Sequence, residues 1–317
     1  MYDKFNRAMK NLRISITHDC SYTCLYCHRE GWNNRYDDIL SPGEIGIISS
    51  VARSLDIDEF KLTGGEPLLR KDVIDIVEKI AEVKPKDLSM TTNGFLLKDF
   101  AKDLSEAGLM RVNVSLPSLN RERYRIITGI DGLENVLKGI DEAYNYNLKP
   151  ITLNVVLLRD INDNEYKDFI EFAQRYEAKV RFIELEPIVL NTEVFNKLYV
   201  SIDNIVKYLE ERSVCKVYRE LNMRPIYILD NGIKVEIVKW LENKYFCRYC
   251  NRVRLSPEGV LKPCVMVKYG IDLKPFLRPD IDFDKLKEAF IKINQMRFPY
   301  NEIVCNGYKR DLTSSPP

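Results

Sequence analysis

Six of the eight cysteines in this 317-residue chain fall into two triplets, one near each end: Cys20-x3-Cys24-x2-Cys27 and Cys247-x2-Cys250-x13-Cys264. Three thiolates on one short loop can converge on a single metal centre, and soft thiolates suit iron–sulfur clusters or zinc. Any fold open to this chain must therefore gather each triplet to a point. A cubane [4Fe–4S] cluster on three cysteines leaves one iron open to an outside ligand. A zinc site needs a fourth protein ligand: His28 could close the first triplet, and Cys215 or Cys305 the second. Spacing alone leaves both readings open. The opening segment, Met1–Lys10, is polar and mixed in charge, unlike a secretion signal. That points to a reducing, cytoplasmic compartment, where clustered cysteines hold metal more often than they form disulfides.

The first part of the chain alternates short β-branched runs with helical patterns. Strands are expected at Leu12–Thr17, Glu59–Thr63, Asp87–Thr91, Arg111–Leu116, Ile151–Leu157 and Lys179–Leu185. Helices are expected at Pro42–Ser54, where Ser41 is the N-cap, and at Asp72–Glu82, Lys98–Glu106, Leu133–Asn145 and Asn162–Tyr176. Six βα units imply an α/β fold with a parallel sheet and helices on its outer face, a partial (β/α)6 TIM-like barrel. Apolar runs such as Leu153–Leu158 suggest a sheet covered on both sides. The first triplet follows the first strand directly, at the end of the array where such folds bind ligands.

After Pro187 the rhythm breaks. A helix at Ser201–Arg212 precedes two hairpins, one turning at Asp230-Asn231-Gly232 and one at Pro257-Glu258-Gly259. The second turn can fold Cys264 back onto the Cys247–Cys250 knuckle. A helix at Asp284–Asn294 closes the pattern. The expected division is residues 1–195 as the barrel and 196–317 as an α+β extension carrying the second triplet. Lys plus Arg is 48 against 47 for Asp plus Glu, a net charge of +1, so there is no global attraction to nucleic acid or anionic membrane. No apolar run approaches the roughly 18 residues of a membrane span.

Two strings make the chain more specific. Cys-x3-Cys-x2-Cys with an aromatic residue, Tyr26, before the third cysteine resembles the radical S-adenosylmethionine (SAM) superfamily, as does Thr63-Gly64-Gly65-Glu66-Pro67 after the second strand. Leu12-Arg13-Ile14-Ser15, Thr91-Thr92-Asn93-Gly94 and the run Cys247 to Leu255 resemble one branch of it, the GTP 3′,8-cyclase (MoaA) family of molybdenum cofactor biosynthesis. That resemblance implies a lyase with two [4Fe–4S] clusters. It places SAM on the open iron of Cys20, Cys24 and Cys27, with Tyr26, Gly65 and Ser115 beside it. An electron from the cluster then yields a 5′-deoxyadenosyl radical, which takes the ribose 3′ hydrogen of GTP. It places guanine at the open iron of Cys247, Cys250 and Cys264, and GTP against Arg13, Lys61, Thr91, Arg252 and Arg254. On the same analogy the two clusters face each other across the barrel mouth. Arg252 and Arg254 alternate on one strand, so their planar forks share a face.

The family further implies a low-potential electron donor, a downstream cyclic pyranopterin monophosphate synthase, and compatibility with a homodimer. The chain departs from the pattern at Lys61, where bacterial members carry arginine, at Thr152 for a lysine, at Glu186 for a methionine, and at a C-terminus lacking Gly-Gly. Two other functions fit the bare cysteines. One is a radical SAM enzyme acting on a peptide or another substrate; the other is a zinc-stabilised binding protein without catalysis. Cys215 and Cys305 are expected to be buried, inert thiols.

Overall fold

Along each barrel strand, apolar residues alternate with polar ones, and the fold follows from that period of two. The computed structural model describes residues 1–32, 38–186, 192–239, 245–267 and 269–298. The first half runs β1 (Asn11–Ser15), α1 (Pro42–Ser54), β2 (Glu59–Thr63), α2 (Val73–Ala81), β3 (Asp87–Thr92), α3 (Leu97–Glu106), β4 (Arg111–Ser115), α4 (Arg121–Thr128), α5 (Leu133–Asn145), β5 (Thr152–Val156), α6 (Tyr166–Gln174) and β6 (Lys179–Ile183). It continues with α7 (Thr192–Leu198), α8 (Asp203–Arg212), β7 (Ser213–Tyr218), β8 (Pro225–Leu229), β9 (Lys234–Val238), α9 (Tyr245–Arg248), β10 (Arg252–Leu255), β11 (Val260–Lys262), β12 (Ile271–Asp272) and α10 (Phe283–Gln295).

Strands β1 to β6 pair in parallel and in sequence order. Their apolar residues, such as Leu12, Phe60, Met90, Val112, Leu153 and Phe182, are fully buried in one core cluster with Ile48, Ile76, Leu104 and Ile140 of the helices. Burying each such side chain contributes about 1.5–3 kcal/mol, so this outer face fixes the register. The residues between them point the other way, into the bore. The expectation of apolar cover on both sides is therefore corrected: the inner face is polar, as Asn154 between Leu153 and Val155 illustrates.

Helix α1 begins where its signals are. Ser41 and Glu44 form a reciprocal capping box and Pro42 occupies the first turn. Helix α4 lies outside the expected elements. Asn120 caps it, accepting from the amides of Glu122 and Arg123 at 3.1 Å each, and Gly129 ends it at φ 78°.

The C-terminal part extends this same sheet at both edges. On one side β9 pairs in parallel with β6 and continues through the antiparallel β8 and β7. On the other, β10 pairs in parallel with β1 and continues through β11 and β12. The described residues thus form one twelve-stranded sheet. Strand β7, also outside the expected elements, is an exposed edge, and Cys215 on it is exposed rather than buried. Cys305 lies outside the described residues. Among those described, no helix is long and apolar enough to cross a membrane.

Candidate active site

The first cysteine loop leaves the C-terminal end of β1 and is stitched to the neighbouring strand ends by backbone. Gly65 N–H donates to the Thr17 carbonyl at 2.8 Å and Glu66 N–H to that of Asp19 at 2.6 Å. A Cβ at Gly65 would sit 2.0 Å from the Asp19 carbonyl oxygen, and one at Gly64 2.4 Å from that of Thr17. The glycines are thus required by close packing onto the cysteine loop. The Gly65 and Glu66 amides are thereby engaged by the cysteine loop. Glu66 locks the turn to β3, accepting from Thr92 Oγ1 at 2.7 Å and the Asn93 amide at 2.6 Å.

Helix α4 holds the other side of the loop. Thr23 N–H donates to the Thr128 carbonyl at 3.1 Å and Leu25 N–H to the Ile127 carbonyl at 2.9 Å. Cys20 and Cys27 are exposed and Cys24 is half-buried. Burial, then the thiols of Cys27 and Cys20, push the Cys24 thiol up to about 12. Three sulfurs close enough to oppose one another's ionisation ask for a cationic centre, which would relieve that repulsion. Three thiolates suit a [4Fe–4S] cluster with one open iron. His28 Nδ1 accepts from the Glu30 amide at 3.1 Å. Among the described residues, no three His, Cys, Asp or Glu side chains group as a single-ion site. Tyr26 packs against the Ile127, Leu158 and Phe195 cluster, Ser115 is half-buried at the end of β4, and Thr91 is half-buried near the end of β3.

Below this loop the bore is lined by cations. The register aligns Arg254, Arg13, Lys61, Ser89 and Arg111 across five strands. Burial, then Arg111, Arg181, Arg13 and Arg219, drive the Lys61 ammonium well below its ordinary pKa, which places those charges around it. Glu30 is buried between two of the arginines. It pairs with Arg13, whose Nε lies at 2.8 Å, and with Arg254 Nη1 at 2.6 Å, and it accepts from Thr63 Oγ1 at 3.0 Å. Lys262, opposite Arg254 on β11, lies 4.1 Å over the Trp32 ring. On the far wall Thr152 sits beside Lys179, and Asn154 beside Arg181, which faces Glu236.

The second cysteine group lies at the other end of β1. The Asn251 carbonyl, next to Cys250, accepts from the Lys10 amide at 2.9 Å and the Asn11 amide at 3.1 Å. Arg7 Nη1 donates to the Cys247 carbonyl at 3.0 Å, and Arg297 bonds the Cys250 carbonyl. Asp3 pairs with both arginines. Burial would raise the Cys250 thiol, but Arg297, Arg252 and Arg7 hold it below the usual value. The β10–β11 hairpin returns Cys264 to within electrostatic reach of Cys250. The expectation that both groups face one mouth is corrected: they sit at opposite ends of β1, whose five residues span roughly 13 Å, with the cationic bore between. Arg252 stands at the second group's end of that bore and Arg254 midway. His18 and Glu258 bond to each other, tying the first loop to the β10–β11 turn.

Sequence reasoning missed Arg181, Arg219, Arg224, Glu30 and Glu236. For Arg181 and Glu236 the signal was present, a charge between two apolar residues on a strand. For Arg219 and Arg224 there was none, since only the sheet topology carries their turn to the bore.

The chain matches the family model of the radical SAM superfamily over residues 14–173, and that of the molybdenum cofactor synthesis C-terminal domain over 178–303. A probable GTP 3′,8-cyclase of Thermococcus kodakarensis is 41% identical over 95% of this chain and 99% of its own. One from Metallosphaera sedula is 42% identical over 84% of this chain and 83% of its own. Among solved structures, Streptococcus suis SuiB bound to S-adenosylmethionine superimposes with a TM-score of 0.66 at 15% identity, covering 92% of this chain and 68% of that one. The anSMEcpe enzyme with bound AdoMet gives a TM-score of 0.56 at 17% identity, covering 88% and 83%. At these identities the two structures speak for the fold alone.

Proposed function

Since the chain belongs to the GTP 3′,8-cyclases of molybdenum cofactor synthesis, within the radical SAM superfamily, we propose that its reaction is divided along the bore. SAM belongs at the end carrying Cys20, Cys24 and Cys27, and GTP lies between that end and Cys247, Cys250 and Cys264. Membership brings SAM and a [4Fe–4S] cluster; when bound and reduced, the cluster supplies the electron that cleaves the SAM sulfonium. One observation carries the GTP assignment: Arg13, Arg254, Arg111 and Arg181 line the bore around the buried Lys61, and the carboxylates paired with them, Glu30, Asp87 and Glu236, are fewer than the cations. An apolar barrel core would contribute stability at no electrostatic cost, whereas each buried ion costs several kcal/mol unless matched. A polyphosphate matches this surplus, and a neutral peptide does not.

The chain's own residues then have distinct tasks. Cys20, Cys24 and Cys27 hold the first cluster, and the Gly65 turn, Tyr26 and Ser115 border the SAM site. Arg13, Lys61, Arg252 and Arg254 bind and orient GTP, with Thr91 at the edge nearer SAM. Cys247, Cys250 and Cys264 would hold a second [4Fe–4S] cluster, which would offer a coordination site to the guanine. Positioning and exclusion of water carry the catalysis, because the bore carboxylates Glu30 and Glu236 are engaged in ion pairs with its cations. Lys179, beside Thr152 in register, supplies a cation where this chain lacks the family lysine. The division near residue 195 is one of task rather than of sheet. A low-potential donor delivers the electron, and cyclic pyranopterin monophosphate synthase consumes the product.

The test uses anaerobic protein, SAM, GTP and a strong reductant. Cys24→Ala abolishes 5′-deoxyadenosine formation. Cys264→Ala retains some SAM cleavage but loses the product joined between ribose C3′ and guanine C8. Equal loss of SAM cleavage in both variants would refute the division. Iron and acid-labile sulfide analysis tells two clusters from one.

A further inference from the structure

The bore holds a second buried carboxylate, which no motif singles out. Glu236 on β9 is fully buried. Its Oε2 accepts from Arg181 Nη2 at 2.8 Å and pairs with Lys179 Nζ at 2.8 Å. Its Oε1 faces Arg224 Nη1 at 3.3 Å and Arg219 Nη1 at 3.4 Å. One carboxylate among four cations leaves surplus positive charge in a desolvated wall, which is no way to stabilise a fold. Arg181 and Arg224 are 6% and 8% exposed, and the Nε of each is buried without a hydrogen-bond partner. Unspent donors and surplus charge on one wall fit an anion with several oxygens.

Arg224 also reaches toward the second cysteine group. Its Nη2 donates to Asn222 Oδ1 at 3.3 Å. Asn222 Nδ2 in turn donates to the Phe246 carbonyl at 2.5 Å, and its N–H to the Tyr249 carbonyl at 3.0 Å. Phe246 and Tyr249 immediately precede Cys247 and Cys250. The turn itself is held in the left-handed region, with φ 64° at Asn222 and 47° at Met223, so its contacts rather than its intrinsic preference set its shape.

We propose that Glu236 is a positioning residue: it presets Arg181, Arg219 and Arg224 as one wall for the terminal phosphates of the nucleotide. Through Arg224 and Asn222 it ties that wall to the backbone of the Cys247–Cys250 knuckle. This rests on the placement of GTP in the bore. Glu236 itself touches no substrate; it acts through the arginines, which would otherwise repel one another out of register.

The experiment compares affinities for GTP, guanosine and inorganic tripolyphosphate in full-length protein purified without oxygen. Glu236→Gln keeps the shape and removes the charge. GTP and tripolyphosphate binding weaken at least tenfold while guanosine binding stays within twofold, and KM for GTP rises more than kcat falls. Should Glu236→Gln fail to fold, Arg219→Ala serves, because Arg219 is 24% exposed and its loss opens no core. It weakens tripolyphosphate about fivefold and leaves guanosine within twofold. Asn222→Ala changes the electron paramagnetic spectrum that GTP induces at the second cluster while tripolyphosphate affinity stays within twofold. Tripolyphosphate binding within twofold of wild type in both charge variants overturns the wall, as does an equal loss of guanosine. An unchanged spectrum in Asn222→Ala overturns the tie to the knuckle. Wild-type protein that binds neither GTP nor tripolyphosphate overturns the placement of GTP itself, and the wall with it.

Discussion

At the scale of single residues, the site is built where a side chain is either forbidden or forced. Gly65 is the forbidden case. A methyl group there meets the Asp19 carbonyl oxygen at 2.0 Å, a backbone atom that cannot rotate away. Gly65→Ala therefore displaces the first cysteine loop, costs about 1–3 kcal/mol, and weakens SAM binding; thermal melts and SAM titration check both. Glu236 is the forced case. Burial would raise its pKa, but Arg181, Lys179, Arg219 and Arg224 hold it well below 4.5. A carboxylate depressed in the folded state stabilises above its unfolded pKa, and that stability is lost as pH falls through the depressed value. Glu236→Gln should thus cost about 3–5 kcal/mol at neutral pH. Its deficit should shrink below about pH 4.5, as urea unfolding at pH 7 and pH 4 would reveal. A deficit that stays constant across that range contradicts the charge argument. Much of this was legible in the chain. Arg13 between Leu12 and Ile14, Lys61 between Phe60 and Leu62, and Glu236 between Val235 and Ile237 all write a polar inner face in period two. The apolar run at Leu153–Leu158 hid it, because Leu157 and Leu158 lie beyond β5 and Leu158 packs in a separate cluster.

At the scale of elements, the first-half strands and longer helices follow from periodicity and caps, while the elements that matter most to the cysteine loop do not. Helix α4 has eight residues, too few for a clear apolar stripe, and its role depends on where the loop runs. Its last turn offers the Ile127 and Thr128 carbonyls to the loop amides, and Gly129 at φ 78° lets the chain turn away beneath Thr23. A Cβ on Gly129 would lie 2.4 Å from Thr23 Oγ1. Gly129→Ala therefore incurs roughly 1–2 kcal/mol of left-handed strain and pushes Thr23, the residue before Cys24, outward. The expected outcome is faster iron loss to a chelator from the first cluster, with little change in the second. Equal release from both clusters would mean that α4 is general scaffolding. Strand β7 was unreadable for the opposite reason. Its residues are exposed along nearly its whole length, so no burial pattern marks it, and only its pairing with β8 makes it a strand.

At the scale of the whole molecule, the two halves matched by separate family models share one sheet, and this decides what each half can do alone. Strand β1 is paired on one side by β2 and on the other by β10, and β6 is paired by β5 and β9. A fragment ending at residue 195 removes β9 and β10 together. It bares both edges of a parallel sheet, the arrangement most prone to pairing with another chain. It also strips Arg254 from Glu30 and Glu236 from Arg181, leaving buried charges unmatched. The fragment should therefore associate or precipitate, and should show no cooperative melt by circular dichroism or single monomer peak on gel filtration. A monomeric, cooperatively melting fragment would show that the barrel half stands alone and that the C-terminal part is an appended module. The physical case runs against that outcome. The strands that carry the second cysteine group also complete the cationic bore, so the same hydrogen bonds that close the sheet place the two triplets at opposite ends of β1.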